Sequence, residues 1–358
     1  MLLAAAALLL FLTCWSVIPA PIMLVFPLAV GGPELSPWLI GAAVIVGALA
    51  RKNRAALPVC GISLLCSAVP LAALLATRQT RSEAFRQTVN APETARLTST
   101  RSIQIRPNIP YAVRGGTLHM IIYGPAEAGQ YPAVVMIYGG AWRSGSPGDS
   151  AEFARHMASR GYVVCAIDYR HAPEFQFPVQ LEDVQEGLVF LRRHAAEYQI
   201  DGTRLALLGR SSGGHLALLA AYQPSLVPVR AVVAYYAPSN LIKGYEDVPV
   251  PDPIGVRGVL ESFVGGPPAH LRERYEQASP FTYAAGPVPP TLLIQGGRDH
   301  IVKPTFAREL DSKLRSSGNR AVLLELPWSE HAFDAIFTGT GNREALDYTE
   351  RFLSWAMK

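Results

Sequence analysis

The chain has 358 residues, 49% of them hydrophobic, and a formal net charge of +4, which is long enough for one large α/β domain and a second, smaller part. The positive charge is local: residues 1–76 carry Arg51, Lys52 and Arg54 against Glu34, residues 77–101 add arginines in excess over Glu83 and Glu93, and the remainder is slightly acidic. Basic character confined to the flanks of apolar segments argues against nucleic acid as a partner. The sequence has no H-E-x-x-H, no Walker-type Gly-Lys-Ser/Thr loop and no paired C-x-x-C, so neither a metal nor another cofactor is expected.

At the N-terminus, Glu34 is the only charged side chain in residues 1–50, and Ala55 to Thr77 carries none. The latter stretch can cross a hydrocarbon core of about 30 Å at about 1.5 Å per residue. Met1 to about Val30 offers another crossing, kinked or broken by Pro19 and Pro21, and Leu35 to Ala50 a shorter third. A cleaved signal peptide competes for the first stretch; the missing basic n-region and the apolar segments that follow weigh against it. Residues 1–77 are therefore expected to form a helical transmembrane region of three spans, with two as the fallback. If Arg51-Lys52-Asn53-Arg54 faces the cytoplasm, the positive-inside rule places the rest of the chain outside it, although Arg78, Arg81 and Arg86 pull the other way. Residues 78–102, rich in Arg, Thr, Ser and Gln without an apolar period, read as a linker or amphipathic stem.

Beyond the linker, apolar runs alternate with helical periodicity. Strands are expected near Thr117–Tyr123, Ala133–Tyr138, Tyr162–Asp168, Arg204–Leu208, Arg230–Tyr236, Thr291–Gln295 and Ala321–Leu326, and helices over Ser150–Arg160, Gln180–Tyr198, His215–Tyr222, Lys303–Ser316 and Arg343–Met357. Such alternation implies a mostly parallel sheet covered on both faces, with ligands outside the carboxyl ends of its strands. Cys165 falls inside a strand and is expected to be a buried structural thiol. Residues 239–285 interrupt the pattern with a Pro- and Gly-rich excursion, either a cap over the site or a plain surface insertion.

Gly209-Arg210-Ser211-Ser212-Gly213 follows the apolar run Leu205-Ala206-Leu207-Leu208 directly. A serine between glycines at a strand-to-helix turn has the form of a nucleophile elbow, with Ser211 exposed for attack on a carbonyl. Upstream, Gly139-Gly140-Ala141-Trp142 ends another strand; the Gly139 and Gly140 amides, with that of Ser212, are the candidate oxyanion hole, each donor being worth about 3 kcal/mol in a transition state. Downstream, Asp299 lies just past the strand ending at Gln295, and His331 lies in the loop after the last strand. The chain order Ser211, Asp299, His331 is that of an α/β-hydrolase, not of chymotrypsin-like or subtilisin-like enzymes. Asp334 is the rival acid. His215, one turn after Ser211, is expected to pack, and His300 to lie on a loop or line the pocket. Tyr138, Trp142 and Arg210 are candidate pocket residues.

From about Arg106 to Lys358 the chain resembles the α/β-hydrolase esterases of the hormone-sensitive-lipase-like and related bacterial carboxylesterase group. The resemblance rests on Tyr138-Gly139-Gly140-Ala141-Trp142, on Asp168-Tyr169-Arg170-His171-Ala172-Pro173-Glu174 with Phe177-Pro178 and Leu181-Glu182-Asp183-Val184, on Gly209 to Gly214, on Gly297 to Asp299 and on Glu330 to Phe333. One position departs from the pattern: the group usually has histidine where this chain has Tyr138, so a hydroxyl must support the oxyanion loop differently. The resemblance implies an α/β-hydrolase domain over residues 103–358 and cofactor-free cleavage of a small-molecule or lipid-like ester by a Ser-His-Asp triad. An amidase or acyltransferase on the same scaffold is the alternative, and a non-catalytic binding module the remaining one. With the apolar N-terminus, the full expectation is a membrane-anchored, multi-pass serine esterase of a bacterial cell membrane, in contact with membrane lipids, its catalytic domain outside the cytoplasm.

Overall fold

Among the described residues, eight strands build one sheet: β1 Ile103–Val113, β2 Thr117–Pro125, β3 Tyr131–Ile137, β4 Val163–Ile167, β5 Ile200–Arg210, β6 Ala231–Tyr235, β7 Thr291–Gly296 and β8 Ala321–Leu326. Their spatial order is β1-β2-β4-β3-β5-β6-β7-β8. Pairing is antiparallel at β1/β2 and β2/β4 and parallel from β4 through to β8. The computed structural model describes residues 1–89, 100–113 and 116–358. Strand β1 is absent from the sequence expectation; its Pro107 and Pro110 and two register shifts suit an edge, where a missing N–H costs no ladder bond.

Helices cover both faces, and the period-two alternation of the central strands divides the core accordingly. In β5, Leu205 and Leu207 join one buried cluster with Leu188, Leu216 and Leu219, whereas Ala206 and Leu208 face the other, with Phe153, Met157, Phe352 and Leu353. Cys165 in β4 is fully buried, and burial pushes its thiol well above the ordinary range. Between β6 and β7 the excursion forms helices Leu241–Glu246, Val256–Val264, Pro268–Gln277 and Pro280–Tyr283. It is held down by Phe263 stacked on Trp142, with centroids 4.2 Å apart, and by His215 bonded to the Ala278 carbonyl at 2.6 Å.

The N-terminal region corrects the sequence expectation. Leu2–Cys14 is a helix of 13 residues, short of the roughly 20 needed to span a bilayer. Phe26–Glu34 and Ser36–Leu49 are two helices bent by 84° at their junction, and among the described residues the helical stretch Ala56–Val89, with a turn at Thr77, is the one long and apolar enough to cross without such a bend. That helix ends on the hydrolase domain: Arg81 forms a two-pronged ion pair with Glu344 at 2.7 and 2.8 Å, and Phe85 is buried against Tyr348. Its last turns, Arg78–Val89, occupy what the sequence suggested was linker; residues 90–99 lie outside the described ones. The turn after the first helix and the bend at Glu34 are likewise packed onto catalytic-domain loops. The expected multi-pass transmembrane region is thus overturned, and with it the membrane anchoring, the membrane localisation and the sidedness derived from them. The physical reason is that hydropathy measures a preference for leaving water, whereas prolines and turns cut the apolar run into pieces whose polar ends have partners on the enzyme.

Candidate active site

Strand β5 delivers its last residue, Arg210, to the start of helix Ser212–Tyr222, and Ser211 at the junction has φ 50° and ψ −122°. A side chain at positive φ costs on the order of 1–3 kcal/mol and persists only where its surroundings hold it. They do so here by close approach. A Cβ on Gly209 would lie 2.1 Å from the Gly213 carbonyl oxygen, and one on Gly213 would lie 2.2 Å from that of Tyr138. Both positions therefore require glycine. The Ser211 amide donates to the Tyr235 carbonyl at 2.9 Å, tying the elbow to the end of β6.

Ser211, Asp299 and His331 come together at the carboxyl ends of β5, β7 and β8. His331 Nε2 stands 3.0 Å from Ser211 Oγ, and His331 Nδ1 stands 2.8 Å from Asp299 Oδ2. Asp299 is buried and its other oxygen accepts the Ile301 and Val302 amides at 2.9 and 2.7 Å, while Gln295 donates to Oδ2 at 3.0 Å. These donors fix the orientation of the Asp299 side chain. Glu330, to which the sequence pattern assigned no role of its own, is buried and accepts the His331 amide at 2.8 Å and the His300 amide at 3.0 Å. It thus joins the acid loop to the base loop.

Gly140, Ala141 and Trp142 all have positive φ, at 134°, 55° and 58°. Gly140 turns its carbonyl back to accept from Arg143 and Ser144, while among the described residues the amides of Gly139, Gly140 and Ala141 donate to no other backbone group. A Cβ on Gly139 would lie 3.1 Å from Ser211 Cβ, which measures how near the loop comes to that serine. Tyr138 shows how the chain does without the usual histidine. Its hydroxyl reaches Asp168 Oδ1 at 2.5 Å and His171 Nε2 at 2.8 Å, and its ring stacks on Tyr169 with centroids 4.4 Å apart. Burial, with Tyr169 and Asp168 beside it, pushes the phenol far above its ordinary value, so it stays a neutral donor.

The other candidates separate cleanly. His215 is fully buried, 3.3 Å from the Trp142 indole N–H at Nδ1, and burial pulls it down to about 4, which leaves it neutral at pH 7. His300 is turned toward Glu330, and although burial alone would lower it, that carboxylate raises it. Asp334 does not touch His331 Nδ1. It receives Arg210 Nε and the Tyr236 hydroxyl, and the Tyr236 ring lies 4.5 Å from that of His331. The Arg210 guanidinium lies between the Phe153 and Tyr235 rings, 4.5 and 5.0 Å from their centroids. Sequence spacing carried no signal for this buried bridge, because its members are separated by up to 124 positions.

Two cavities meet at Ser211. One, of about 690 Å³, is lined by Ser211, His331, Gly139, Gly140 and Arg210. The other, of about 60 Å³, is lined by Ser211, Ser212, Trp142, Leu260 and Phe306. Around these cavities stand the strained Ser211 hydroxyl, the His331 imidazole 3.0 Å from it, the Asp299 carboxylate 2.8 Å from that imidazole, and the backbone amides of Gly139 and Gly140.

Residues 120–314, more than half of the chain, match the family described as BD-FAE. The chain belongs to the BD-FAE family. The matched residues of this BD-FAE chain take in Ser211 and Asp299 and stop short of His331. Among curated proteins it is similar to the probable carboxylic ester hydrolase LipM of Mycobacterium tuberculosis, 30% identical over 69% of this chain and 60% of that one. It is also similar to the isoprenylcysteine alpha-carbonyl methylesterase ICME of Arabidopsis thaliana, 25% identical over 62% and 55%. The chain spans about half to three fifths of the length of the curated relatives it matches. Among solved structures, the carboxylesterase EstE1 from a metagenomic library aligns with a TM-score of 0.63 at 25% identity, over 78% of this chain and 97% of its own. A bacterial heroin esterase aligns with a TM-score of 0.63 at 20% identity, over 80% and 92%, a likeness of fold.

Proposed function

We propose that this chain hydrolyses carboxylic esters of small molecules, with Ser211 as nucleophile, His331 as general base and acid, and Asp299 as its orienting carboxylate. His331 Nε2 takes the proton as Ser211 Oγ attacks the carbonyl carbon. The resulting oxyanion is held by the amide of Ser212 and those of Gly139 and Gly140, which accumulate their effect only as charge develops. The C–O bond then breaks, the imidazolium returns its proton to the leaving alkoxide, and water repeats the sequence on the acyl-enzyme. The observation that carries this reading is the relay Ser211–His331–Asp299, with links of 3.0 and 2.8 Å.

A fluorophosphonate probe, together with p-nitrophenyl esters of graded acyl length, tests the reading. Ser211→Ala is expected to abolish labelling and lower turnover about ten-thousand-fold or more. Near-full turnover in that variant would exclude Ser211, and labelling that persists would point to another serine.

A further inference from the structure

The proton that His331 returns goes to the leaving oxygen, so the alcohol part of an ester must lie on the His331 side of Ser211 and the acyl part on the other. Of the two cavities, the larger is lined by His331 and Ala332, whereas the smaller meets Ser211 and Ser212 without reaching His331. The smaller is walled by Trp142, Leu241, Leu260 and Phe306 and measures about 60 Å³, room for on the order of four or five water-sized atoms at about 10–15 Å³ each. The larger measures about 690 Å³, and part of its apolar wall is not from the hydrolase domain at all: Met23 and Phe26 belong to the N-terminal segment.

That segment is fastened to the loops that carry the triad. Arg298, next to Asp299, donates to the Ser16 and Val17 carbonyls at 3.2 and 2.7 Å. Trp328 donates to the Ser16 carbonyl at 2.7 Å, and His300 Nε2 lies 3.2 Å from that of Ala20. Glu34 accepts from Ser329 Oγ and from the Gly341 amide, both at 2.7 Å. Phe26 is 7% exposed and packs edge-on against His300, with centroids 5.9 Å apart. Phe26 thus touches His300, next to Asp299, and lines the cavity together with Phe153 and Phe337.

We infer that residues 15–34 complete the leaving-group side of the active site, with Met23 and Phe26 as specificity-determining residues, and that the ester taken is a short acyl group on a large, mainly apolar alcohol. The inference rests on the esterase reading and deepens it. It also assigns the apolar N-terminus a part in substrate selection.

The test uses the full-length protein and two substrate series: p-nitrophenyl esters from acetate to decanoate, which vary the acyl group alone, and acetates of ethanol, butanol, octanol and 1-naphthol, which vary the alcohol alone. Wild type is expected to prefer acetate and butyrate to octanoate and decanoate in the first series and the larger alcohols in the second. Phe26→Ala is expected to lower the ratio of kcat/KM for octyl over ethyl acetate about tenfold, chiefly through KM, with Met23→Ala moving it the same way and the acyl-length profile unmoved. Leu24, 84% exposed and outside the cavity lining, supplies the control: Leu24→Ala keeps the wild-type ratio. Fluorophosphonate labelling rates and melting temperatures show that each variant is folded and retains its nucleophile. An octyl-to-ethyl ratio unchanged in Phe26→Ala and Met23→Ala, or a change in the acyl-length profile instead, overturns the inference while leaving the esterase reading intact. A wild type that is neither labelled nor active on any ester in either series removes the esterase reading, and the inference with it.

Discussion

Arg210 and Asp334 each sit beside a residue of the proposed triad without belonging to it: one precedes Ser211, the other follows His331 by three positions. Their buried ion pair, with Tyr236 donating to the same carboxylate and packing on the His331 ring, ties the elbow to the base loop. Removing one member of a buried pair leaves the other charge without compensation, at a cost of about 3–5 kcal/mol. Asp334→Asn is therefore expected to lower the melting temperature and, by loosening His331, to reduce kcat more than it raises KM. Steady-state kinetics beside thermal melts check this; a variant with wild-type kcat would make the bridge purely structural. In sequence Asp299, just past a strand end and ahead of His331, was the preferred acid, and Asp334, three residues past His331, its rival. What separates them is geometry: Asp299 faces Nδ1 of His331 at 2.8 Å, and Asp334 faces a cation.

Among the secondary-structure elements, the strands and helices of the hydrolase domain were legible because burial imposes a period on sequence. Fully buried runs such as Val163–Ile167 are short and rich in β-branched residues, which favours a strand over a helix, and the elbow glycines announce a turn that no other residue fits. The N-terminal helices were misread because an apolar run has no period to betray which surface it meets. Glu34 is the residue that decides the matter. It is the one charge in that run, and it is buried where the helix Phe26–Glu34 meets the start of Thr340–Ala356, with the Gly341 and Asn342 amides donating to it. Burial raises its carboxyl from 4.5 to about 7. A carboxyl raised on folding takes up a proton as the chain folds, so its contribution to stability is full below about pH 4.5 and is lost as pH rises through 7. The wild type is expected to lose on the order of 3 kcal/mol more than Glu34→Gln between pH 5 and pH 8.5. Denaturant melts at those two pH values test it, and a difference between the two proteins that does not vary with pH would rule it out.

For the molecule as a whole, the sheet is a platform with all its chemistry at one edge. Parallel strands β3, β5, β7 and β8 end on the same side, so Gly139, Ser211, Asp299 and His331 converge although the chain visits them in four separate passes. The central strands are also the most deeply buried, since helices cover both of their faces. Hydrogen exchange is expected to be slowest at amides 133–137, 205–209 and 231–235, opening only with global unfolding, and faster in Leu2–Cys14, whose exposed side chains include Leu3, Leu8 and Phe11. Uniform exchange across these segments would contradict that ranking.

The sequence by itself determined the alternation of strands and helices, the elbow, and the order of the three residues proposed for catalysis. Each of these is written in local terms: a hydrophobic period, a glycine that a turn requires, a polar residue just past a strand. Only the tertiary structure decided that Asp334 takes Arg210 as its partner, how Tyr138 supports the glycine loop after β3, and that the apolar N-terminus packs its turns and its single acid against the loops of the candidate site. Those outcomes depend on contacts between residues up to about three hundred positions apart, and a transfer preference read from neighbouring residues has no term for them.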